Sequence, residues 1–304
     1  MHVICDSFYG DYNMRKEDKT LKYEGLDLPE NLSHILEQDI WMLDDIGGPA
    51  LSMLHLPMKF TSTTVIFVKK GRCKAEINLE QFEIEAPCIV LIASSEIMQP
   101  LSISEDFKGS FMVMSSRFVQ DFKKELADSE LFEQLKEDHI LNIPSDQITD
   151  FEMFCRQLKN LVANVTSKYN YQAVLHTVLA FFYHTIVKCL NKEGEKYSTA
   201  GHITQRFMKL SRENFKQERF MDFYSRKLGI TSKHLGRTIK AHTGYTASEW
   251  LDRMVVLEAK VLLKSSSMTI QQISEELNFP SQSFFGKYFK NIVGVSPKEF
   301  RNAR

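Results

Sequence analysis

The 304 residues include 38 Lys and Arg and 39 Asp and Glu, so the formal charge is −1, and 43% of the residues are apolar. This composition is typical of a globular protein and excludes a disordered, collagenous or membrane-embedded chain. Residues 201–304 hold 18 Lys and Arg and 9 Asp and Glu, whereas residues 1–200 hold 20 and 30. The two parts therefore carry charges of +9 and −10. This asymmetry predicts a basic region with a polyanionic partner and argues against a compact enzyme with a single function.

The length predicts two domains, because each part is long enough to bury a core. The chain begins without a basic stretch followed by an apolar one, and no apolar run reaches the roughly 18 residues of a membrane span, so we expect a cytoplasmic protein. The scattered cysteines predict reduced thiols rather than disulfides or a metal site. They are Cys5, Cys73, Cys88, Cys155 and Cys189.

Short segments rich in β-forming residues follow an N-terminal arm, which we place at residues 1–38 because it is polar and weakly patterned. Turn residues separate these segments, which is typical of an antiparallel barrel or jelly roll that can enclose one ligand. The predicted strands are 40–43, 51–55, 63–69, 73–77, 82–84, 88–92, 97–103 and 111–114.

Helical patterns follow the strands. Apolar residues recur every three to four positions and predict amphipathic helices over about 147–165 and 171–191. The second helix has more apolar surface than one partner helix covers, which leaves open a homodimer contact or packing within the domain. Residues 191–201 are polar and predict a linker between an N-terminal domain, 39–190, and a C-terminal domain, 202–304.

Two stretches of the C-terminal domain, about 220–244 and 269–294, share the order of short helix, tight turn and second helix. This is the helix-turn-helix design, whose second helix lies in the DNA major groove and whose turn needs a residue that tolerates positive φ. Gly229 and Asn278 occupy that turn position, and both residue types tolerate it. A connecting helix over 247–263 would span ~25 Å and place the recognition helices about one DNA turn, ~34 Å, apart.

Capping boxes of the form S/T-x-x-E/Q mark three helix starts. They run from Thr246 to Glu249, from Thr269 to Gln272 and from Ser296 to Glu299. Pro297 follows the last of these caps at the first helical position, where a missing N–H has no cost.

Each recognition helix has an apolar and a polar face. The apolar side chains follow i, i+4 spacing and are predicted to lie in the core: Leu235, Ile239, Phe285, Phe289 and Ile292. The polar side chains are predicted to contact base edges near the helix start and phosphates further along. They are Ser232, Lys233, Arg237 and Lys240 in the first unit and Ser281, Gln282, Ser283, Lys287 and Lys290 in the second. A basic face is more often merely solvated, but two in the same structural position favour DNA binding.

The run over 269–301, TIQQISEELNFPSQSFFGKYFKNIVGVSPKEFR, closely resembles the second helix-turn-helix signature of AraC/XylS-family bacterial transcription regulators. Residues 229–263 resemble the first half of that domain, and the resemblance covers about 100 residues. The chain departs from the family pattern at Asn278, where glycine is usual, and at Tyr224 and Ser274, where alanine is usual.

The resemblance implies a DNA-binding regulator, more commonly an activator that works with RNA polymerase. The sequence contains no phosphate-binding glycine loop and no nucleophile elbow, so neither a cofactor nor a catalytic residue is predicted. Gly286 and Lys287 stand where the family often has a longer polar residue and an arginine, which implies a base preference of its own. For residues 40–190 the resemblance is only architectural. It implies a cupin-like barrel that binds a small-molecule effector, followed by dimerising helices, and hence an α+β fold class.

The candidate effector-pocket residues are Trp41, His55 and Phe67. A cupin-type metalloenzyme is one alternative, but the strand-rich region holds a single histidine, His55, with no HxH neighbour, so no metal site and no catalysis are predicted. A regulator whose N-terminal half only dimerises, without a ligand, is the other. A barrel interior filled by apolar side chains would favour it. These side chains are Ile66, Phe67, Val68, Ile89 and Leu91.

Overall fold

The computed structural model describes residues 22–23, 26–27, 39–51, 56–60, 62–126, 139–163, 169–187, 189 and 199–303. The described residues up to 189 belong to one compact unit and those from 199 onward to a second. The sheets of the first unit are antiparallel and the second unit is helical, which confirms the predicted α+β class. Most of the predicted arm and linker lies outside the described residues.

Strands dominate the N-terminal unit. In chain order they are β1 (Lys22–Tyr23), β2 (Leu26–Asp27), β3 (Ile40–Gly47), β4 (Met58–Lys59), β5 (Thr63–Lys70), β6 (Arg72–Ile77), β7 (Glu80–Glu85), β8 (Cys88–Ile92), β9 (Ile97–Ile103), β10 (Lys108–Met114) and β11 (Ile140–Asn142). Strands β1 and β2 pair with each other. The larger sheet has the spatial order β11-β8-β5-β10-β3, and the smaller sheet has the order β4-β9-β6-β7.

Most predicted strands are present, but four short ones, β1, β2, β4 and β11, are not predicted from the sequence. The strand predicted over 51–55 is wrong at its first residue, because Leu51 ends a short helix, α1 (Gly48–Leu51). The other four residues of that prediction, including the candidate pocket residue His55, lie outside the described part of the chain.

The larger sheet is covered on both faces. Side chains alternate between the faces of a strand, and Ile66 and Val68 on β5 line an apolar cavity of about 50 Å³ together with Met98 of the smaller sheet. Their neighbours Val65 and Phe67 line a cavity of about 60 Å³ on the opposite face. A sheet buried on both faces needs apolar side chains at successive positions, which explains the runs TVIFV in β5 and CIVLI in β8.

Helices cover the outer face of the larger sheet. They are α2 (Ser116–Glu125), α3 (Ile148–Ala163), which follows the 3₁₀ turn Ser145–Gln147, and α4 (Asn170–Phe181), which continues as a π-helical turn, Phe182–Ile186. Helices α3 and α4 lie where the sequence predicts helices. The stacked rings of Phe154 and Phe181, with centroids 3.8 Å apart, join α3 to α4.

Asp44 on β3 joins the larger sheet to α3. Its Oδ1 lies 2.6 Å from Nζ of Lys69 and accepts a hydrogen bond from Ser110, and its Oδ2 lies 2.7 Å from Nζ of Lys159 on α3. Burial raises the pKa of this carboxyl, but the hydrogen bonds from both lysines and the serine outweigh burial and hold it well below its usual range. Because the folded-state pKa is the lower one, the stabilisation is present above the usual aspartate pKa and is lost as the pH falls towards the folded-state value.

The C-terminal unit consists of helices. They are α5 (Thr199–Asn214), α6 (Met221–Leu228), α7 (Ser232–Thr243), α8 (Ala247–Ser265), α9 (Ile270–Glu276), α10 (Gln282–Val293) and α11 (Pro297–Asn302). The first three residues of α5 fall within the predicted linker. Helix α8 packs against both of the predicted helix-turn-helix units. Among the helices that the structure describes, none is long and apolar enough to cross a membrane.

Four cysteines lie within the described residues, and all are buried: Cys73, Cys88, Cys155 and Cys189. Burial raises the pKa of the Cys73 thiol to about 11 and that of Cys88 and Cys155 to about 12. These three thiols are therefore protonated and unreactive near neutral pH.

Replacing Asp44 with asparagine should lower the free energy of unfolding at pH 7 by about 1.5–3 kcal/mol, because two ammonium groups lose their shared carboxylate. Urea unfolding of the full chain at a series of pH values measures this loss, which should shrink as the pH falls below about 4. Glu83→Gln is the matched control, since it breaks the exposed Lys74–Glu83 pair and should change little. An equal loss in both variants, or a loss independent of pH, would contradict the role given to Asp44.

Candidate nucleic-acid interface

The turns of the two helix-turn-helix units have the same backbone geometry. Gly229 has a φ of 69° and Asn278 a φ of 54°, so both are left-handed, as predicted. In both units the N–H of the turn residue donates to the carbonyl three residues back, and the next N–H donates to the carbonyl five residues back, at 2.9 to 3.2 Å. This hydrogen-bond pattern ends a helix at a left-handed residue and starts the recognition helix at a fixed angle.

Caps define where the helices begin. All three predicted capping boxes form both of their hydrogen bonds: Thr246 with Glu249, Thr269 with Gln272, and Ser296 with Glu299. Hydrogen bonds from the backbone and side chain of Thr246 hold the pKa of the Glu249 carboxyl below its usual range. Each recognition helix has a hydroxyl cap as well, because Thr231 accepts from the His234 N–H at 3.2 Å and Ser281 accepts from the Phe284 N–H at 3.3 Å.

Eight of the nine side chains predicted to contact DNA are exposed: Lys233, Arg237, Lys240, Ser281, Gln282, Ser283, Lys287 and Lys290. The ninth, Ser232, is half-buried, and its hydroxyl donates to Asp222 Oδ1 at 2.9 Å and lies 3.0 Å from Oγ of Ser225. The hydroxyl of Ser232 therefore has its partners inside the first unit. Each recognition helix thus presents basic and short polar side chains to solvent.

The apolar faces of α7 and α10 lie in the core, with one exception. Leu235, Ile239, Phe285 and Phe289 are each fully buried, as predicted. The prediction for Ile292 is wrong, since this side chain is 43% exposed. Ile292 is the second-last residue of α10, and it is Val293, four residues after Phe289, that packs against the core.

Phe284 was not predicted as a site residue, yet its side chain is 64% exposed on α10 between Ser283 and the buried Phe285. A large aromatic side chain on an otherwise polar face requires an explanation, whereas a single exposed aliphatic residue does not. The signal in the sequence is an aromatic residue one position off the i, i+4 series of core positions. Phe284 is therefore a candidate contact residue of the second recognition helix.

The candidate effector residues do not form one site among the described residues. Trp41 on β3 is buried, 6% exposed, and does not line either of the two cavities. Phe67 lines the helix-facing cavity, on the face opposite to Ile66 and Val68. The apolar residues grouped as one barrel interior therefore divide between two faces, because Ile89 and Leu91 also face the helices. Within the described ranges, no three His, Cys, Asp or Glu side chains lie close enough to hold a metal ion.

The C-terminal unit is similar in sequence to known proteins. Residues 224–303 match a family model described as a helix-turn-helix domain. Histidine kinase P4 of Formosa agariphila is 28% identical over 122 residues, which cover 35% of this chain and 9% of that protein. The transcriptional activator RhaS of Salmonella schwarzengrund is 26% identical over 92 residues, which cover 30% of this chain and 33% of RhaS. The chain spans a third or less of the length of these relatives. The structure of ToxT from Vibrio cholerae is 16% identical and covers 86% of this chain and 96% of ToxT, with a TM-score of 0.40.

Residues 224–303 are an AraC-type helix-turn-helix domain. The matched segment begins on α6 and takes in both turns, both recognition helices and α8 between them. The positive-φ turns and hydroxyl caps are thus features of this domain in the present chain. Ser274 lies four residues before the turn residue Asn278, and Ser225 lies four residues before the turn residue Gly229. The residue of the first unit that corresponds to Ser274 is therefore Ser225 and not Tyr224.

Ser274 and Ser225 allow a matched test of the domain's packing, because both are buried and each lies four residues before its turn residue. The Ser274 hydroxyl has no hydrogen-bond partner among the described residues, whereas that of Ser225 donates to the Asp222 carbonyl at 3.2 Å. Ser274→Ala should raise the free energy of unfolding by about 1 kcal/mol, and Ser225→Ala should lower it by a similar amount. Thermal or urea unfolding of the full chain measures both. Changes of the same sign would show that these hydroxyls are not placed as described.

Proposed function

We propose that the chain is a sequence-specific transcription regulator that binds double-stranded promoter DNA through the AraC-type domain. The supporting observation is that two recognition helices, each following a left-handed turn and a hydroxyl cap, expose basic and short polar side chains. This arrangement suits a helix in the major groove, where side chains near the helix start reach base edges. The positive charge of the C-terminal region supplies the attraction to phosphates.

We assign base contacts to side chains at the start of each recognition helix and to one residue in the next turn. In α7 these are Lys233 and, one turn on, Arg237; in α10 they are Gln282 and Ser283 and, one turn on, Lys287. Phe284 suits an apolar contact with thymine methyl groups. Lys240 and Lys290, nearer the helix ends, suit phosphates, which carry no sequence information. The two helices would enter successive major grooves on one face of the duplex.

Binding to DNA selected from a random pool tests the proposal. With four or five basic side chains at the interface, raising the salt from 50 to 200 mM should weaken binding about 100- to 500-fold. Arg237→Ala and Lys287→Ala should each cost about 1–3 kcal/mol on the selected sequence and less on unselected DNA.

Lys108→Ala, which removes one exposed charge from the N-terminal unit, is the control and should leave affinity unchanged. Absence of binding at low salt with both selected and random DNA would overturn the proposed function. Equal losses on every sequence would reassign Arg237 and Lys287 to phosphate contacts.

The N-terminal unit is proposed to be a cupin-like domain that controls DNA binding by taking up an effector. The lining of the two cavities supports an apolar effector, because almost all of the side chains that line either cavity are apolar. Their volumes, about 50 and 60 Å³, are well below the roughly 300–1,000 Å³ of ligand pockets, so the layers must separate on binding. The alternative is a regulator whose N-terminal half only dimerises, and the small volumes are the observation in its favour.

A thermal-shift screen of the full chain separates these alternatives. An effector at 100 times its dissociation constant stabilises its unit by ~2.7 kcal/mol, which corresponds to a rise in melting temperature of about 5–10 °C. Aromatic and aliphatic metabolites should produce the shift, and sugars should not, because the cavities offer them almost no polar partners. Absence of a shift with every compound class would favour the ligand-independent regulator.

A homodimer through α3, α4 and the π-helical turn is part of the proposal. Met153 on α3 is 61% exposed and Tyr183 in the π-helical turn is 42% exposed, so both present apolar surface for a second copy. Activation through contact with RNA polymerase is proposed from the family resemblance alone.

A further inference from the structure

Residues 215–219, which connect α5 to α6, contact the second helix-turn-helix unit although they precede the first. Nζ of Lys216 lies 2.6 Å from Oε1 of Glu276 at the end of α9 and 3.2 Å from Oε1 of Glu258 on α8. The Lys216 ammonium group therefore links this segment to both α8 and α9.

Arg219 contacts the second unit at its turn. Its guanidinium donates to the carbonyl of Leu277, the C-cap of α9, which has no partner within the helix. The same group lies 4.0 Å from the centroid of the Phe279 ring and 6.0 Å from that of Tyr288 on the recognition helix α10. Tyr288 in turn donates to Oδ1 of Asp252 on α8 at 2.6 Å. A planar cation that lies over the Phe279 ring, near Tyr288, and donates to a carbonyl is held in a defined orientation.

The segment is attached to the first unit by Tyr224 on α6. The hydroxyl of this fully buried tyrosine donates to the carbonyl of Glu218 at 2.6 Å, and its ring lies 5.4 Å from the ring of Phe207 on α5. The segment is thus bonded on one side to the first unit and on the other to the second.

One of the two carboxylates that Lys216 contacts is buried. The Glu258 side chain is only 3% exposed, so its carboxylate interacts with Lys216 with little screening by water. Burial lowers the pKa of the Lys216 ammonium, but the hydrogen bond to Glu276 and the charge of Glu258 outweigh burial and raise it overall, so the group stays charged.

We propose that residues 215–219 are a brace that fixes the distance and angle between the two recognition helices, with Lys216, Arg219 and Tyr224 as positioning residues. The consequence for DNA rests on the proposed function. Because half-site spacing follows the spacing of the recognition helices, the brace determines which spacing of half-sites the protein prefers.

The distance between the recognition helices can be measured without DNA. Nitroxide labels attached through p-acetylphenylalanine at the exposed positions 240 and 290 of the full chain avoid the native cysteines. Pulsed electron-electron resonance should give a narrow distance distribution in the unmodified protein and a broader or shifted one in Arg219→Met. Lys209→Met, which removes one exposed positive charge on α5, should match the unmodified protein. An unchanged distribution in Arg219→Met would overturn the brace.

Binding to half-sites at altered spacing gives the second measurement. Two inserted base pairs rotate one half-site by about 70° relative to the other, and the unmodified protein should lose about tenfold or more in affinity. Arg219→Met should bind the selected spacing several-fold more weakly but lose less on insertion, while its affinity for one half-site stays unchanged. Equal losses on all templates would indicate general destabilisation and contradict the proposal.

Arg219→Lys keeps the charge but lacks the planar group that stacks on Phe279. If Arg219→Met does not fold, Arg219→Lys replaces it in both measurements. It should change the spacing preference in the same direction. If the unmodified protein binds no DNA while the distance distribution still broadens in Arg219→Met, the proposed function fails and the brace stands.

Discussion

Burial of the connecting helix α8 is the constraint on which the C-terminal unit depends. Eleven of its nineteen residues are buried, whereas a helix on the surface of a domain usually buries one stripe. Val256, Ala259 and Leu263 belong to the core of the second unit, and the first recognition helix packs against the same helix. Because the two units share α8, neither can shift without exposing apolar surface, and the buried Glu258 on this helix requires a cationic partner.

The parts of the domain that the sequence predicts well are those that local chemistry decides. A serine or threonine followed three residues later by glutamate or glutamine satisfies backbone N–H groups whatever lies elsewhere in the chain. Gly229 and Asn278 likewise meet a requirement of their own backbone for positive φ. The helix boundaries, the turns and most of the core faces of α7 and α10 could therefore be predicted from the residues alone.

Features that depend on distant contacts could not be predicted in the same way. Successive apolar residues in β5 show burial, but which face meets the helices and which meets the second sheet depends on the neighbouring layers, so Phe67 was grouped with Ile66. Ile292 lies three residues after Phe289, but α10 turns Val293 rather than Ile292 towards the core. Arg219 stands in an ordinary polar connection, and its partners are almost 60 residues further along the chain.

We propose that one chain presents two recognition helices to successive major grooves. Hydroxyl-radical footprinting of the full chain on DNA selected from a random pool tests this proposal most directly. Two protected stretches about 10 base pairs apart, centre to centre, are expected on one face of the duplex. A single protected stretch, or two stretches on opposite faces, would contradict it.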